Sequence, residues 1–124
     1  MEQKYYKCSV CGKIIAVVKD TAVPVMCCGK KMEEIIPGTV DAVAEKHIPV
    51  YNQDGDKLYV TVGEVEHPML EEHYIEWIAV QTDAGVYRKA LKPGDEPKAC
   101  FALCCDEKVE AVFAYCNLHG LWKA

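Results

Sequence analysis

The residues best suited to chemistry lie near the end of the sequence, where Cys116 and His119 stand three positions apart. A strand-like run over 109–115 leads into them, and Asn117 and Gly120 are residue types that favour turns. A turn of this kind lets a thiolate and an imidazole point at one atom, as metal ligands do. Two ligands do not complete a coordination sphere, so the remaining donors must come from elsewhere in the chain.

The chain has four histidines, and all of them are predicted to lie in loops or at strand edges: His47, His67, His73 and His119. Any one of them alone would be read as a surface or hydrogen-bonded residue, but loops at one end of a β-sandwich are where sites are built. With Cys116 they offer five donors, more than the four of structural zinc or the three of catalytic zinc. Iron accepts six ligands, so a square of nitrogens with an axial sulfur suits iron and leaves one position open. An open site on a redox metal binds a small diatomic molecule or its anion, and the sulfur opposite donates electron density to the metal.

A second group of metal donors is predicted near the start of the chain. Cys8 and Cys11, followed by Gly12, have the spacing of a metal knuckle, in which backbone amides point at the sulfurs. Cys27 and Cys28 are adjacent, and because neighbouring side chains on an extended backbone diverge, we expect a distorted tetrahedron of thiolates. The alternative is a cluster of reduced thiols without metal. A segment of about 36 residues has little core of its own, so we expect the metal to contribute much of its stability.

The rest of the chain has the pattern of a β protein. Pro37-Gly38 is the predicted boundary between a metal module (1–37) and a second domain (38–124). We predict one helical turn at most, over 68–72, and six or seven short strands with turns between them. The strands that the alternation indicates are 39–44, 57–62, 75–80, 86–91, 99–103 and 109–114. The expected fold is therefore mainly β, with a small metal-knuckle module followed by an immunoglobulin-like antiparallel β-sandwich.

The composition of the chain indicates the cellular compartment of the protein and the kinds of partner it can bind. The 124 residues carry a formal net charge of −5, which argues against a nucleic-acid partner. No apolar run approaches the roughly 20 residues of a membrane span, and the first residues lack the pattern of a signal peptide. We therefore expect a cytoplasmic protein, and in a reducing cytosol eight cysteines point to metal binding rather than to disulfides.

Five segments, taken together and in order, resemble the motif series of the desulfoferrodoxins, the two-iron superoxide reductases. They are 45–50 (EKHIPV), 62–69 (VGEVEHPM), 73–77 (HYIEW), 91–95 (LKPGD) and 115–120 (YCNLHG). The cysteines of the first 28 residues resemble the desulforedoxin-like or rubredoxin-like module of that family. The resemblance covers essentially the whole chain, and the combination is far more specific than any one segment.

The resemblance implies two irons in each chain. It implies an Fe(Cys)₄ centre at Cys8, Cys11, Cys27 and Cys28, and a non-haem ferrous centre with His47, His67, His73 and His119 in the equatorial plane and Cys116 axial. The implied reaction is the one-electron reduction of superoxide to hydrogen peroxide without release of dioxygen, in detoxification of reactive oxygen. The resemblance also implies a homodimer that is re-reduced by rubredoxin or a similar electron donor.

The resemblance gives two charged residues beside the first histidine a role in this reaction. Lys46 corresponds to the family's active-site lysine, and a cation near the open position attracts the anion and can hold a water that delivers a proton. Glu45 corresponds to the glutamate that takes the sixth position in the ferric state, since a carboxylate is a hard ligand. Without the surrounding motif, the pair would be read as ordinary solvated charges.

Two other functions are compatible with the donors alone. One is a rubredoxin-like electron-transfer protein without catalytic turnover, and the other is a zinc-binding structural protein. Neither iron requires Cys100, Cys104 or Cys105. We expect Cys100 to pack as a small apolar residue and the other two to lie in a turn, with thiol redox sensing or a disulfide as the alternative.

Overall fold

The structure is a computed structural model, and it describes residues 2–104 and 106–124. Cys105, for which a turn is predicted, lies outside the described residues. The chain divides into two compact units, Met1–Ile36 and Pro37–Ala124. The architecture is mainly β, as predicted. Within the described ranges, the structure has no helix of the length and hydropathy needed to cross a membrane.

The first unit is built from five very short strands: β1 (Tyr5–Lys7), β2 (Ile14–Ala16), β3 (Met26–Cys27), β4 (Lys30–Lys31) and β5 (Glu33–Glu34). Three of them form an antiparallel sheet in the order β2-β1-β5, and β3 pairs with β4 as a hairpin. The buried apolar side chains described in this unit are Tyr5, Cys8 and Met32. So small a core agrees with the expectation that a bound metal contributes to its stability.

The second unit is an antiparallel sandwich of two sheets preceded by one helical turn, α1 (Ala44–His47). Its strands are β6 (Pro49–Asp54), β7 (Lys57–Val62), β8 (Ile75–Thr82), β9 (Val86–Ala90), β10 (Lys98–Ala102), β11 (Val109–Cys116) and β12 (Gly120–Lys123). The sheet orders are β10-β7-β6 and β12-β11-β8-β9. Alternate residues of β7, β8 and β11 supply a common core that includes Val60, Val80 and Val112. This is the predicted immunoglobulin-like sandwich.

Three local predictions in this unit are wrong. Residues 39–44 do not form a strand, because Val40 and Val43 are 42% and 50% exposed and their alternation does not correspond to a buried face. The helical turn lies at Ala44–His47, while 68–72 forms a tight turn that is closed by backbone hydrogen bonds between Leu70 and His73. The strands β6 and β12 are not predicted from the sequence, since turn residues dominate their ends.

Cys100 does not pack as a small apolar residue. In β10 the alternation directs Ala99 and Phe101 into the core, so that Cys100 is exposed and lies opposite Tyr59 of β7. Cys104 is exposed in the connection between β10 and β11. The described cysteines are all free thiols, without a disulfide among them.

Candidate metal centres

The structure gathers the four cysteines of the first unit around one point. The sulfurs of Cys8, Cys11, Cys27 and Cys28 all lie within 4.8 Å of one another. The Sγ–Sγ distance is 3.7 Å between Cys11 and Cys27 and 4.0 Å between Cys27 and Cys28. A tetrahedral metal with bonds to sulfur of about 2.3 Å has sulfur–sulfur edges of about 3.8 Å, so these thiols fit one ion.

The adjacent cysteines reach this point because the backbone turns between them. Cys28 has a φ of 52° and Gly29 a φ of 74°, so both central residues of the β3–β4 hairpin lie in the left-handed region that a type I′ turn requires. The extended backbone that we assumed for this pair is therefore wrong. The hairpin turn brings the two neighbouring sulfurs to one side, at the 4.0 Å separation given above.

The first knuckle is prepared for a thiolate. The backbone N–H groups of Val10 and Cys11 each donate to the Sγ of Cys8 at 3.4 Å. These hydrogen bonds, of which that from Cys11 is the stronger, lower the pKa of Cys8 to about 6. Cys8 is buried, whereas Cys11 and Cys28 are exposed at the surface of the unit. One edge of this metal centre is therefore open to solvent.

The donors of the second unit come from one end of the sandwich. His47 ends α1, His67 and His73 lie in the connection between β7 and β8, and Cys116 is the last residue of β11. His119 lies in the turn that connects β11 to β12. Donor atoms of the first four of these residues all lie within 4.8 Å of one another. The Nδ1 of His119 completes the group, at 3.2 Å from the Nε2 of His47 and 3.9 Å from the Sγ of Cys116.

The four imidazoles are arranged as a square. In the order His47, His67, His73 and His119, the centroids of successive rings are 4.7, 4.7 and 5.0 Å apart. The distance from His119 back to His47 is 4.9 Å. The diagonal from His47 to His73 is 6.4 Å. Neighbouring rings are nearly perpendicular, at 74° to 88°, and the diagonal pair is inclined by 29°. Rings set in this way point one nitrogen each toward a common centre.

Hydrogen bonds to the main chain identify the nitrogens that face this centre. The Nδ1 of His47 lies 2.7 Å from the carbonyl oxygen of Val43, and the Nδ1 of His67 lies 2.6 Å from that of Pro68. A carbonyl only accepts, so each Nδ1 carries the proton and each Nε2 of a neutral ring is left with a lone pair. These two Nε2 atoms are nevertheless only 3.2 Å apart.

Two lone pairs at that distance repel unless a cation lies between them. Protonation of one ring would allow a hydrogen bond, but burial lowers the pKa of His67 to about 4 and also lowers the pKa of His47. Both rings are therefore neutral at neutral pH, which is the form that binds metals. The Nε2 of His73 is buried without a hydrogen-bond partner, and a metal ligand needs none. The donor set fits a metal ion better than it fits an imidazole cluster alone.

Cys116 supplies the donor on the inner side of the square. Its side chain has no exposed surface and belongs to the core between the sheets. Burial raises the pKa of the Cys116 thiol, while the backbone N–H groups of Leu118 and His119 oppose this rise by hydrogen bonding to the sulfur. A β-bulge aims the side chain: Tyr115 pairs with Trp77 but Cys116 pairs with Ile75, so β8 contains one extra residue here.

Three of the imidazoles border a cavity of about 340 Å³, and Cys116 is not among the residues that line it. Lys46 borders this cavity together with His47, His73 and His119. The cation at Lys46 also contributes to lowering the pKa values of His47 and His73. Glu45 is exposed one residue earlier in α1, and its side chain does not line the cavity. A small anion can thus approach the imidazoles beside a lysine.

Three residues for which the sequence predicts no contact with the ligand loops hold this arrangement together. Gly63 packs against the main chain of α1, where an added Cβ would lie 2.6 Å from the carbonyl oxygen of Glu45. Trp122 stacks on His47 with ring centroids 5.0 Å apart, and its indole N–H donates to the carbonyl oxygen of His119 at 3.0 Å. Asn117 hydrogen-bonds to the segment that carries His73. The contacts of Gly63 and Asn117, and the stacking of Trp122 on His47, join segments that are distant in sequence, which no local pattern reveals.

Comparison with known proteins decides the family. The family described as Desulfoferrodoxin matches residues 39–124, and its N-terminal domain matches residues 1–35. The chain belongs to the desulfoferrodoxin family. A desulfoferrodoxin homolog of Archaeoglobus fulgidus is 53% identical over 119 residues, which cover 96% of this chain and 94% of the relative. The desulfoferrodoxin of Nitratidesulfovibrio vulgaris is 45% identical over 123 residues, with 99% and 96% covered.

Solved structures agree with this assignment. The crystal structure of the superoxide reductase from Treponema pallidum superposes with a TM-score of 0.84 at 35% identity, and the match covers 100% of this chain and 99% of that one. The four-cysteine group and the group of four histidines and one cysteine correspond to the two iron sites of a desulfoferrodoxin, Fe(Cys)₄ and Fe(His)₄Cys. The cofactors predicted from the sequence are confirmed.

Proposed function

We propose that this desulfoferrodoxin is a superoxide reductase, which reduces superoxide to hydrogen peroxide at the site in its second unit. One observation carries the proposal: five donors converge at one point, one of them a fully buried thiol, and three of the imidazoles border a cavity together with a lysine. The similarity to the Treponema pallidum superoxide reductase over the whole chain supports it. Iron bound there supplies one electron to superoxide, which takes up two protons to become hydrogen peroxide.

The residues of the chain divide the work of the reaction between them. Lys46 attracts the superoxide anion to the cavity and holds a water molecule that delivers a proton. The rings of His47 and His67 are neutral because burial lowers their pKa values, so they add no charge of their own to that of Lys46. Cys116, shielded from solvent in the core, would bind the iron together with the imidazoles and would donate electron density to it.

Glu45 has a separate role in this proposal, as the ligand of the ferric resting state. Its carboxylate precedes His47 by two residues in the same helical turn, and it is exposed outside the cavity in this structure. A carboxylate is a hard ligand that suits a trivalent metal, so Glu45 would be a ligand of the ferric form. The backbone at Glu45 is held by the N–H of Val65 at 3.0 Å, so this role requires its side chain to turn toward the cavity.

The proposal extends to the partners of the protein. A rubredoxin-type carrier re-reduces the enzyme in the cytoplasm, and the chain forms a homodimer; both follow from its family resemblance. The exposed Cys11 and Cys28 support the first of these, because a carrier can approach their sulfurs closely. Size-exclusion chromatography with light scattering tests the dimer. Reduction of the oxidised protein by stoichiometric reduced rubredoxin, followed in a stopped-flow spectrometer, tests the donor.

The decisive experiment mixes pulse-generated superoxide with fully reduced, iron-loaded protein and measures both products. We expect one peroxide per superoxide and no dioxygen, with oxidation followed at the absorption band of ferric iron bound to Cys116. Two variants locate the chemistry. His67→Ala should abolish the reaction. Cys28→Ser should leave the first turnover unchanged, because an iron at the histidine site that is already reduced needs no electron donor to reduce one superoxide.

Other outcomes identify the alternative functions. Release of half a dioxygen per superoxide would indicate dismutation. Equal loss of activity in both variants would indicate that the main function is electron storage rather than catalysis at the histidine site. Reduced wild-type protein that consumes superoxide no faster than free iron would refute the proposal and favour an electron carrier. Zinc in place of iron in protein purified from its own source would favour a structural role.

A further inference from the structure

Asn117 hydrogen-bonds to both neighbours of a metal ligand that is distant in sequence. Its Oδ1 accepts from the backbone N–H of Tyr74 at 3.0 Å, and its Nδ2 donates to the carbonyl oxygen of Glu72 at 3.0 Å. Its own backbone N–H donates to the carbonyl oxygen of Tyr74 at 3.2 Å. The residue between Glu72 and Tyr74 is His73. Three hydrogen bonds from one residue therefore bracket this histidine.

The sheet itself does not hold His73. The pairing of β11 with β8 ends at Cys116 and Ile75, next to the register shift, and the chain before Ile75 leaves the sheet. The preceding turn is closed within itself, because Leu70 and His73 exchange backbone hydrogen bonds of 2.9 and 3.2 Å. These bonds fix the shape of the turn but not its distance from β11. Asn117 supplies that connection by continuing the ladder one step beyond its last pair.

The imidazole of His73 depends on its main chain more than the imidazoles of His47 and His67 do. The rings of His47 and His67 are each oriented by a hydrogen bond from Nδ1 to a carbonyl oxygen. Among the contacts of the described residues, the ring of His73 has no such hydrogen bond, and its Nε2 is buried without a partner. A displacement of the turn is thus passed directly to the nitrogen that faces the metal. An asparagine suits the task, since its planar amide carries an acceptor and a donor side by side, as a peptide group does.

We propose that Asn117 is a positioning residue for the iron site: it sets the distance between His73 and the Cys116–His119 turn, and thereby closes the square of imidazoles. The inference rests on the proposed iron site and adds a determinant of its geometry. Partners that orient metal ligands typically change affinity or activity by about 10-fold to 100-fold when they are replaced. The same change should alter the bond between Cys116 and the metal, because a displaced histidine shifts the metal away from the sulfur.

The test uses the full-length protein and metal binding rather than catalysis. Asn117→Ala removes both side-chain hydrogen bonds, and Asn117→Asp keeps the acceptor for Tyr74 but sets an oxygen against the carbonyl of Glu72. Asn52→Ala is the matched control, because Asn52 is the other asparagine of the chain and is exposed on β6. Iron affinity is measured by competition with a chelator. The visible band of ferric iron with Cys116 is recorded in parallel, with the Fe(Cys)₄ spectrum as an internal reference.

We expect roughly 10-fold to 100-fold weaker iron binding at the histidine site in Asn117→Ala, together with a shifted thiolate band. Asn117→Asp should lie between this variant and the wild type, and Asn52→Ala should match the wild type. Wild-type affinity and band position in Asn117→Ala would overturn the inference, as would equal weakening in Asn52→Ala. If the alanine variant does not fold, wild-type iron affinity in Asn117→Asp overturns it.

This outcome is separate from that of the proposed function. Iron affinity and the position of the band are measured without superoxide. Wild-type protein that binds two irons but does not reduce superoxide would contradict the function and leave the positioning role to be decided by the variants. If the role of Asn117 were purely structural, Asn117→Ala would lower the free energy of unfolding of the metal-free chain without moving the thiolate band of the bound iron.

Discussion

Gly63 allows the sharpest prediction, because its substitution moves the turn that carries His47 and Lys46. A Cβ at this position would lie 2.6 Å from the carbonyl oxygen of Glu45 and 2.9 Å from that of Ile48. Ordinary contact begins at about 3.4 Å, so the deficits are about 0.8 and 0.5 Å. Both oxygens belong to the backbone and cannot turn aside, as the end of a flexible side chain would. In Gly63→Ala, α1 must therefore move away from the β7–β8 connection by most of an ångström.

This displacement has a cost in stability and a cost in function. Inserting a methyl group into a packed contact typically costs about 1–3 kcal/mol, and the hydrogen bond from Val65 to Glu45 lies in the same contact. We expect Gly63→Ala to lower the free energy of unfolding of the metal-free chain by about 1–3 kcal/mol. A misplacement of about 1 Å can cost on the order of 100-fold in rate, so the second-order reaction with superoxide should slow by about 10-fold to 100-fold.

The control for this prediction is Gly85→Ala. Gly85 lies between β8 and β9, a Cβ added there would meet no atom within 4 Å, and its φ is not in the left-handed region. Chemical denaturation and pulse-generated superoxide give the two quantities for each variant. Gly85→Ala should stay within about 0.5 kcal/mol of the wild type. If Gly63→Ala were as stable and as fast as Gly85→Ala, the contact between Gly63 and α1 would not determine the position of the ligand turn.

Three further predictions concern other parts of the second unit. Lys46→Ala should slow the reaction with superoxide about 10-fold at low salt and flatten its dependence on ionic strength, measured by pulse radiolysis; Lys57→Ala, at the far end of β7, should change neither. Trp122→Phe keeps a ring beside His47 but removes the donor to the carbonyl of His119. Urea unfolding should therefore show a free energy of unfolding that is lower by about 1 kcal/mol, and an unchanged value would mean that this hydrogen bond does not contribute to stability. The hydrogen bond to Glu107 raises the pKa of Tyr87 to about 12, above its ordinary value of 10.0. Tyr87 therefore contributes stability that is complete below about pH 10 and is lost as the pH rises through 12. Tyr87→Phe should remove that alkaline loss and Tyr59→Phe, at an exposed position, should not, as followed by unfolding at a series of pH values.

The parts of the fold that the sequence predicts are those with a local cause. The strand predicted at 57–62 has the observed ends, because its alternation of exposed and buried residues matches a half-buried strand. The same alternation at 39–44 is misleading, since Val40 and Val43 face solvent. An alternating pattern reports a capacity for pairing, and the rest of the chain decides whether a partner is present.

The metal donors are predictable for a different reason. Cysteine and histidine are the residue types that bind metals, and the motifs around them separate the ligands from Cys100, Cys104 and Cys105. Their supports are not predictable, because Asn117 and Tyr74 are 43 positions apart and asparagine in a turn is ordinary. Gly63 is equally ordinary until the carbonyl of Glu45 is found beside it. The motifs therefore identify the ligands, and only the folded chain shows what fixes their geometry.

The two halves of the histidine site are held by different means, and this difference has a functional consequence. Cys116 ends a central strand, and its neighbours in the core pack it from both sheets. The imidazoles come from loops, which are held by single contacts such as those of Gly63, Asn117 and Trp122. A rigid strand fixes the sulfur of Cys116, while the positions of the imidazoles depend on these few contacts. Substitutions in the loop contacts should therefore alter the rate and the affinity for iron more than they alter the stability of the sandwich.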